Sequence, residues 1–454
     1  MADLAAIFKA YDVRGLVPSQ LDEGTARAIG AAFAAEVVVD DHDPAVVVGR
    51  DMRASSPGLA AAFGAGVQDA GIDVVHIGLA STDQLYFASG RLGLPAAMIT
   101  ASHNPAAYNG IKLCRAGAVA LSDATGLGAI RRRIESGGIP TSRTSGRGAA
   151  EHRDLLASYA AHLHDLVPVT GRRLRVVVDA GNGMAGHTVP AVLGTLDLDL
   201  VELYFELDGT FPNHEANPLD PTTLVDLQRL VVEQHADLGL AFDGDADRCF
   251  AVDEHGELVS PSALTALIAM RELAVSPGAR IIHNLITSRA VPEIIAAHGG
   301  VPVRTRVGHS LIKATMAETG AVFGGEHSGH FYFRDFWFAD SGMLAALHLL
   351  AEVARGDATV SELVRDLDPY ASSGEINVVS DDPAAVVERV AASFGTDGAQ
   401  LDRLDGLTVT ADAWWFNVRP SNTEPVLRLN VEGGTAAEMA TVRDAVLAVM
   451  RAPS

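Results

Sequence analysis

The chain has 454 residues, too many for one hydrophobic core, so three or four domains of ordinary size are expected. Its formal net charge of −23 argues against nucleic acid and against an anionic membrane as partners. The two cysteines, Cys114 and Cys249, have no paired spacing, which disfavours a disulfide framework or a zinc site and fits a reducing compartment.

The first residues lack a basic region followed by an apolar core, and no apolar stretch reaches membrane-spanning length, so a soluble cytoplasmic protein is expected. The chain then alternates short β-branched runs with helical patterns. Ala45-Val46-Val47-Val48 ends at Gly49-Arg50-Asp51, Leu174 to Val178 ends at Asp179-Ala180-Gly181-Asn182-Gly183, and Ile281-Ile282 runs into His283-Asn284. Continuous apolar runs of this length suit strands buried on both faces, which predicts an α/β protein with parallel or mixed sheets. Ligands of such sheets gather at the loops beyond the strand carboxyl ends. The recurrence suggests three units of similar build followed by a smaller α+β unit. Expected boundaries are 1–151, 152–256, 257–369 and 370–454, with a helix starting near His152 and a last helix near Thr435.

Four loops carry chemistry. Ile99-Thr100-Ala101-Ser102-His103-Asn104-Pro105 follows the strand-like Ala96 to Ile99 and precedes Tyr108-Asn109-Gly110-Ile111-Lys112. It offers Ser102 as a nucleophile, with Lys112 as a general acid or base or as a partner for phosphate. Without a Gly-x-Ser-x-Gly elbow, acyl transfer is disfavoured. Asp243-Gly244-Asp245-Ala246-Asp247-Arg248 sets three carboxylates in the first, third and fifth places of a calcium loop, but Arg248 stands where that loop needs glycine and both flanks read as strands. The close carboxylates need a cation between them, and oxygen-only ligands point to magnesium or manganese. An aspartyl-phosphate phosphatase stays open as an alternative, although it leaves the Ser102 loop idle. Gly324-Gly325-Glu326-His327-Ser328-Gly329-His330 presents a carboxylate and a hydroxyl on a glycine-framed turn, suited to sugar hydroxyls. Arg419-Pro420-Ser421-Asn422-Thr423-Glu424-Pro425 holds a guanidinium, hydroxyls and an amide in a turn fit for an anion.

These four motifs, with Tyr11-Asp12-Val13-Arg14-Gly15 ahead of them, resemble the α-D-phosphohexomutase family in its phosphomannomutase/phosphoglucomutase branch, over essentially the whole chain. The resemblance implies four domains around a central cleft, the first three alike in α/β topology and the fourth a smaller phosphate-binding domain. It implies an isomerase that interconverts hexose 1- and 6-phosphates, of mannose and of glucose, through a phosphoserine and a hexose 1,6-bisphosphate. By the same resemblance Ser102 carries the phosphoryl group, and Mg2+ is held by Ser102, Asp243, Asp245 and Asp247. Tyr11, Arg14, His103, Asn104, Lys112 and Arg248 line that phosphate, Glu326 and Ser328 hold the sugar, and Arg419, Ser421, Asn422 and Thr423 grip the distal phosphate. His309, beside Gly308 in Arg306-Val307-Gly308-His309-Ser310, and His330 match histidines near the reacting hydroxyl, either of which serves proton transfer. A hexose 1,6-bisphosphate activator, a phosphosugar as the partner and a monomer or weak homodimer complete the expectation. One departure stands out: Ile286 falls where related enzymes carry a substrate-touching lysine, with Arg289 as its candidate replacement. Phosphoglucosamine mutase and a non-catalytic phosphosugar-binding protein are the rival readings.

Overall fold

The β-branched runs form the middles of three sheets, where Val46–Val48, Val176–Val178 and Ile281–Ile282 lie almost without solvent exposure. A computed structural model describes residues 3–38, 43–138, 146–395, 398–421 and 426–452, and of His309 and Ser310 only the backbone. In the first sheet Asp73–Leu79, Ala45–Arg50 and Ala96–Ile99 run parallel in that spatial order, and Tyr108–Arg115 and Val119–Ala120 continue antiparallel. The second sheet repeats this with Leu198–Leu203, Leu174–Asp179 and Leu238–Phe242, then Cys249–Val252 and Leu258–Val259. The third does so with Val301–Thr305, Arg280–Asn284 and Phe323–Gly325, then Phe331–Phe333 and Ala339–Asp340. The first sheet adds Val13–Leu16 on Tyr108–Arg115, and Ala150–His152 on Asp73–Leu79. The expected helix near His152 is thus an edge strand instead. The backbone of 150–152 finds partners on the open side of the first sheet, and the helix Leu156–Leu166 starts only after Asp154, which accepts the Leu156 N–H at 2.9 Å.

The threefold repetition has a direct functional consequence. The Ser102 loop, the Asp243–Arg248 loop and the Glu326–His330 loop each join the last parallel strand of a sheet to its first antiparallel strand. All three therefore leave from strand carboxyl ends, where peptide N–H groups and side chains are free to face a ligand.

Packing binds the three sheets into one unit. Their helices and strands share a continuous apolar core that includes Val47, Tyr159, Val178, Leu240, Phe323 and Leu347. The helix Thr82–Leu92 sits at the junction. It is capped by Ser81, whose hydroxyl accepts the Gln84 N–H, and it closes on Gly93 in the left-handed region at φ 65°.

The fourth sheet is different in kind. Its strands Ala371–Val379, Val426–Gly433, Trp414–Pro420, Leu407–Thr410 and Gln400–Asp402 are all antiparallel. One face, with Phe416, Val418, Leu427, Leu429 and Val431, packs under the helices Pro383–Phe394 and Ala436–Arg451 as a separate core. The alternation of a sheet covered on one side puts Trp415, Asn417, Arg419, Arg428 and Glu432 on the other.

Candidate active site

Ser102 is held where a serine is seldom found. Its backbone has a φ of 52°, and only 4% of the residue is exposed. The left-handed turn costs a non-glycine residue roughly 1 kcal/mol or more, so its surroundings must impose it. Arg53, itself fully buried, does so. Its guanidinium donates to the carbonyls of Pro105 and Tyr108 at 3.0 Å, of Ser102 at 2.8 Å and of Asn104 at 2.7 Å. Asp51 neutralises it at 3.2 Å, and the Phe211 ring from the second unit stacks over it at 5.0 Å.

The acidic loop meets the serine loop backbone to backbone. A Cβ on Gly244 would stand 2.4 Å from the Ser102 carbonyl oxygen, so the approach requires glycine. There Ser102 Oγ donates to Asp243 Oδ2 at 2.7 Å and lies 3.1 Å from His103 Nδ1. Arg248 donates from Nε to Asp243 at 2.9 Å and from its terminal nitrogen to His103. Lys112 reaches Asp245 at 2.7 Å and Asp247 at 2.6 Å. Arg14 pairs with Asp12 and Asn104. Tyr11, Arg14, Ser102, His103, Lys112, Asp247, Arg248 and His330 all line one cavity of about 150 Å³.

Charge in this cavity is set by neighbours. Burial would push the Lys112 ammonium down, but Asp245 and Asp247 outweigh it and raise it, so Lys112 stays a cation. Burial and then Arg248 and Arg14 hold His103 well below the ordinary imidazole range. His330 goes the other way: burial opposes its charge, and Asp247 and Asp340 overcome that opposition. Burial likewise raises Asp243 in spite of Arg248, whereas Lys112 and His330 overcome burial and hold Asp247 well below the carboxylate range.

The chemistry of the acidic loop fits a hard divalent cation. Asp243, Asp245 and Asp247 are buried, each has an oxygen within 4.8 Å of the others' oxygens, and Asp245 Oδ1 is buried with no hydrogen-bond partner. A buried carboxylate oxygen left unpaired is costly without a ligand, and an all-oxygen donor set suits magnesium.

Glu326 is buried at the next loop. It accepts from the Tyr332 hydroxyl at 2.7 Å, from Asn284 at 3.3 Å and from the Gly308 N–H at 3.4 Å. Ser328 Oγ lies 2.9 Å from His330 Nδ1. Gly308 also meets the first unit, since a Cβ there would stand 3.1 Å from the Tyr11 hydroxyl. Farther along the cleft, Arg419 is buried and donates to Glu375 at 2.8 Å, and Ser421 follows it. Asn422, Thr423 and the His309 side chain lie outside the described residues.

Four domain models of the phosphoglucomutase/phosphomannomutase family match in order: α/β/α domain I over residues 5–138, α/β/α domain II over 157–256, α/β/α domain III over 260–370 and the C-terminal domain over 375–449. The chain belongs to the phosphoglucomutase/phosphomannomutase family. A phosphomannomutase of Salmonella montevideo is 40% identical over 433 residues, 94% of each chain. A protein of Xanthomonas campestris named phosphohexose mutases is 42% identical over 439 residues, 96% of each. The crystal structure of a phosphoglucomutase/phosphomannomutase family protein from Burkholderia thailandensis superposes with a TM-score of 0.91 at 34% identity, covering 99% of this chain and 98% of its own.

Within this family member, sequence reasoning missed the residues that act between units. Arg53 stands only two places beyond the recognised Gly49-Arg50-Asp51. Thr82 donates from its hydroxyl to Asp245 Oδ2 at 2.5 Å and from its N–H to the Asp245 carbonyl at 2.9 Å. Asp83 beside it accepts from Ser81 at 2.5 Å and from Tyr159 and Ser341 at 2.7 Å, which ties all three sheets together. Arg289 is engaged with the fourth unit. Its N–H donates to Glu432 at 3.2 Å, its guanidinium to the Asp412 carbonyl at 3.0 Å, and it stacks on Tyr370 at 4.0 Å.

Proposed function

We propose that this chain is a phosphohexomutase that converts mannose and glucose 1-phosphates to their 6-phosphates and back, through a phosphorylated Ser102 and a hexose 1,6-bisphosphate. The observation that carries the reading is the meeting of three equivalent loops: a buried Ser102 hydroxyl bonded to Asp243, with Lys112, Arg248 and Arg14 around it and the Glu326 loop facing it. In the first transfer the free sugar hydroxyl attacks phosphorus and the P–Oγ bond to Ser102 breaks. The hydroxyl proton passes to His309 or His330, and the released Ser102 oxygen is charge-compensated by Arg248. The bisphosphate then turns end for end, and Ser102 recovers the other phosphoryl group by the reverse sequence. Asp243, Asp245 and Asp247, together with the Ser102 phosphate, would hold a magnesium ion, which would supply charge neutralisation at the phosphoryl oxygens. Lys112 and Arg14 bind phosphate as fixed charges, so the catalysis is mainly positioning and electrostatics.

Glu326 and Ser328 hold the sugar hydroxyls, and Arg419, Ser421, Asn422 and Thr423 hold the phosphate that is not reacting. Tyr11 and Gly308 border the ring where the first and third units touch. A clamp on the 3- and 4-hydroxyls does not sense the 2-hydroxyl that distinguishes mannose from glucose, which supports dual use. Phosphorus NMR tests this with magnesium, a trace of hexose 1,6-bisphosphate as activator, and mannose, glucose and glucosamine 1-phosphates. Conversion of the first two is expected. Conversion of glucosamine phosphate alone overturns the substrate, and release of free phosphate alone overturns the reaction.

A further inference from the structure

The turn Asp179-Ala180-Gly181-Asn182-Gly183 follows the strand Leu174–Asp179 and does not line the cavity around Ser102. It lies against the acidic loop instead. The Met184 N–H donates to the Gly244 carbonyl at 2.9 Å, and a Cβ on Gly183 would stand 2.9 Å from that same oxygen. Gly244 separates Asp243 from Asp245, so this contact fixes the backbone that aims two of the three carboxylates.

The turn is itself held by the irregular segment 204–217. Asn182, at φ 57°, donates from its N–H to the Tyr204 carbonyl at 2.8 Å and from its amide to the Glu206 carbonyl at 2.9 Å. Its carbonyl accepts the Asp208 N–H at 3.1 Å, and its Oδ1 accepts from Asn213 at 2.8 Å. The same segment lays Phe211 over Arg53 and Ala216 beside Gly244, so it touches the supports of both catalytic loops. His214 closes the arrangement. Its Nε2 lies 3.0 Å from Oδ2 of the buried Asp179, and its Nδ1 lies 2.8 Å from the Glu215 carbonyl oxygen. Neither a carboxylate nor a carbonyl donates, and a neutral imidazole has a single N–H, so the geometry calls for an imidazolium. The other oxygen of Asp179 accepts the Gly181 N–H at 2.8 Å, which ties the charged pair to the turn.

We propose, on the reading that Asp243, Asp245 and Asp247 hold a divalent cation, that His214 is a positioning residue for that cation. As an imidazolium bridging Asp179 and the Glu215 carbonyl it fixes the turn, and through the turn Gly244, so its deprotonation weakens metal binding. The groups around it are Asp179, the Tyr204 ring edge-on at 5.5 Å, and Asp226, which accepts the Tyr204 hydroxyl at 2.7 Å and pairs with Arg229 at 3.2 Å. Burial opposes the charge, but Asp179, the Glu215 carbonyl and Asp226 overcome it and raise the imidazole above its ordinary value. The bridge is therefore complete at low pH and is lost as pH rises through that raised value. A lone pair then faces Asp179 or the Glu215 carbonyl, and the turn loosens. On the acid side the ligands themselves take up protons, Asp243 being raised to about 6, so His214 is read on the alkaline side.

The test is a titration with Mn2+, an oxygen-seeking stand-in for magnesium whose EPR signal reports binding, between about pH 7 and about pH 9. Full-length protein is used, with equal Ser102 phosphorylation checked by mass spectrometry. The parent's affinity is expected to fall as pH rises. His214→Gln is expected to bind metal ~10-fold more weakly at neutral pH and to lose the alkaline fall. Asp179→Asn is the sharper variant. Its amide can donate to a neutral His214, which keeps its own N–H for the Glu215 carbonyl, and its oxygen still accepts from Gly181. It is expected to stay within ~3-fold of the parent's neutral-pH affinity and to hold it as pH rises.

A parent affinity that stays level across this range overturns the proposal, and so does a fall that persists in both variants. A lowered melting temperature with unchanged metal affinity in His214→Gln makes His214 a purely structural residue and also overturns it. If His214→Gln does not fold, the alkaline fall in Asp179→Asn decides alone: its absence supports the proposal and its presence refutes it. A parent that binds no Mn2+ at any pH refutes the metal reading and this proposal with it. Binding without a fall that depends on His214 refutes this proposal alone.

Discussion

The two ends of the cleft are built on opposite plans. At the reaction end three buried aspartates are matched by Lys112, Arg248 and His330, and the partners come from three sheets that share one core. At the other end Arg419 and Arg428 both pair with Glu375, all on a single antiparallel sheet with its own core. Its link to the rest includes the small apolar contact of Trp415 with Leu285 and Ile286 and the bonds of Glu432 to Arg289. The contrast teaches that the Ser102 end is fixed by partners from several sheets at once, while the Arg419 end is organised within one sheet that has its own core.

Substitutions at the two ends should therefore fail in different ways. Ser102→Ala is expected to cut turnover by more than ~1,000-fold, as loss of a covalent nucleophile does, with the melting temperature little changed. Residual isomerisation near the parent rate would break the comparison at its strongest point. Removal of divalent metal by a chelator is expected to lower turnover at least ~100-fold and to be reversed by magnesium, whereas Asp245→Asn stays inactive with metal restored. Arg53→Lys retains the charge but loses the fork that holds four carbonyls. A fall in kcat of ~10- to 100-fold with nearly constant KM is expected from a misplaced serine, together with a lowered melting temperature.

Asp83 gives a pH test of the weld itself. Burial, against the hydrogen bonds from Ser81, Tyr159 and Ser341, pushes its carboxyl from 3.8 up to about 6. The folded chain then binds this proton more tightly than the unfolded one. The corresponding stability is complete below the unfolded value and is lost as pH rises through about 6. Asp83→Asn carries no charge, so its melting temperature relative to the parent is expected to climb between about pH 4 and about pH 7. A flat difference would show that the junction does not feel this charge. The smallest effect belongs to the other end. Arg289→Gln breaks contacts to Glu432, Asp412 and Tyr370 at a partly exposed boundary, and a loss of about 1 kcal/mol or less with a modest rise in KM and steady kcat is expected.

Most of the reaction end was legible because each loop concentrates polar residues directly after an apolar strand. Ser102 followed Ala96–Ile99, the aspartates followed Leu238–Phe242, and Glu326 followed Phe323–Gly325. The three similar α/β units and the smaller fourth were legible from the same alternation. Residues that act across units were hidden. Arg53, Thr82 and Asp83 look like ordinary loop and helix-start residues until distant strands bring Ser102, Asp245, Tyr159 and Ser341 to them. Glu375 and Arg428 were hidden by register, since only the irregularity between Ser372 and Glu375 and the strand pairing put them beside Arg419. Arg289 was ambiguous as a helix-start residue, and tertiary contact decided for the boundary with the fourth unit. The strand at Ala150–His152 was misread because an edge strand of three exposed residues carries no apolar alternation.

The helix start at Ser81–Asp83 also limits how relatives of this chain can be recombined. A crossover near residue 370 exchanges a unit whose obligations are few and local, so chimaeras cut there should inherit grip from one parent and chemistry from the other. A crossover near residue 150 separates Thr82 and Asp83 from the Asp245, Tyr159 and Ser341 that they were selected with. For shuffling purposes the first three units are a single exchangeable block, and among the described residues the fourth shares its apolar core with none of them.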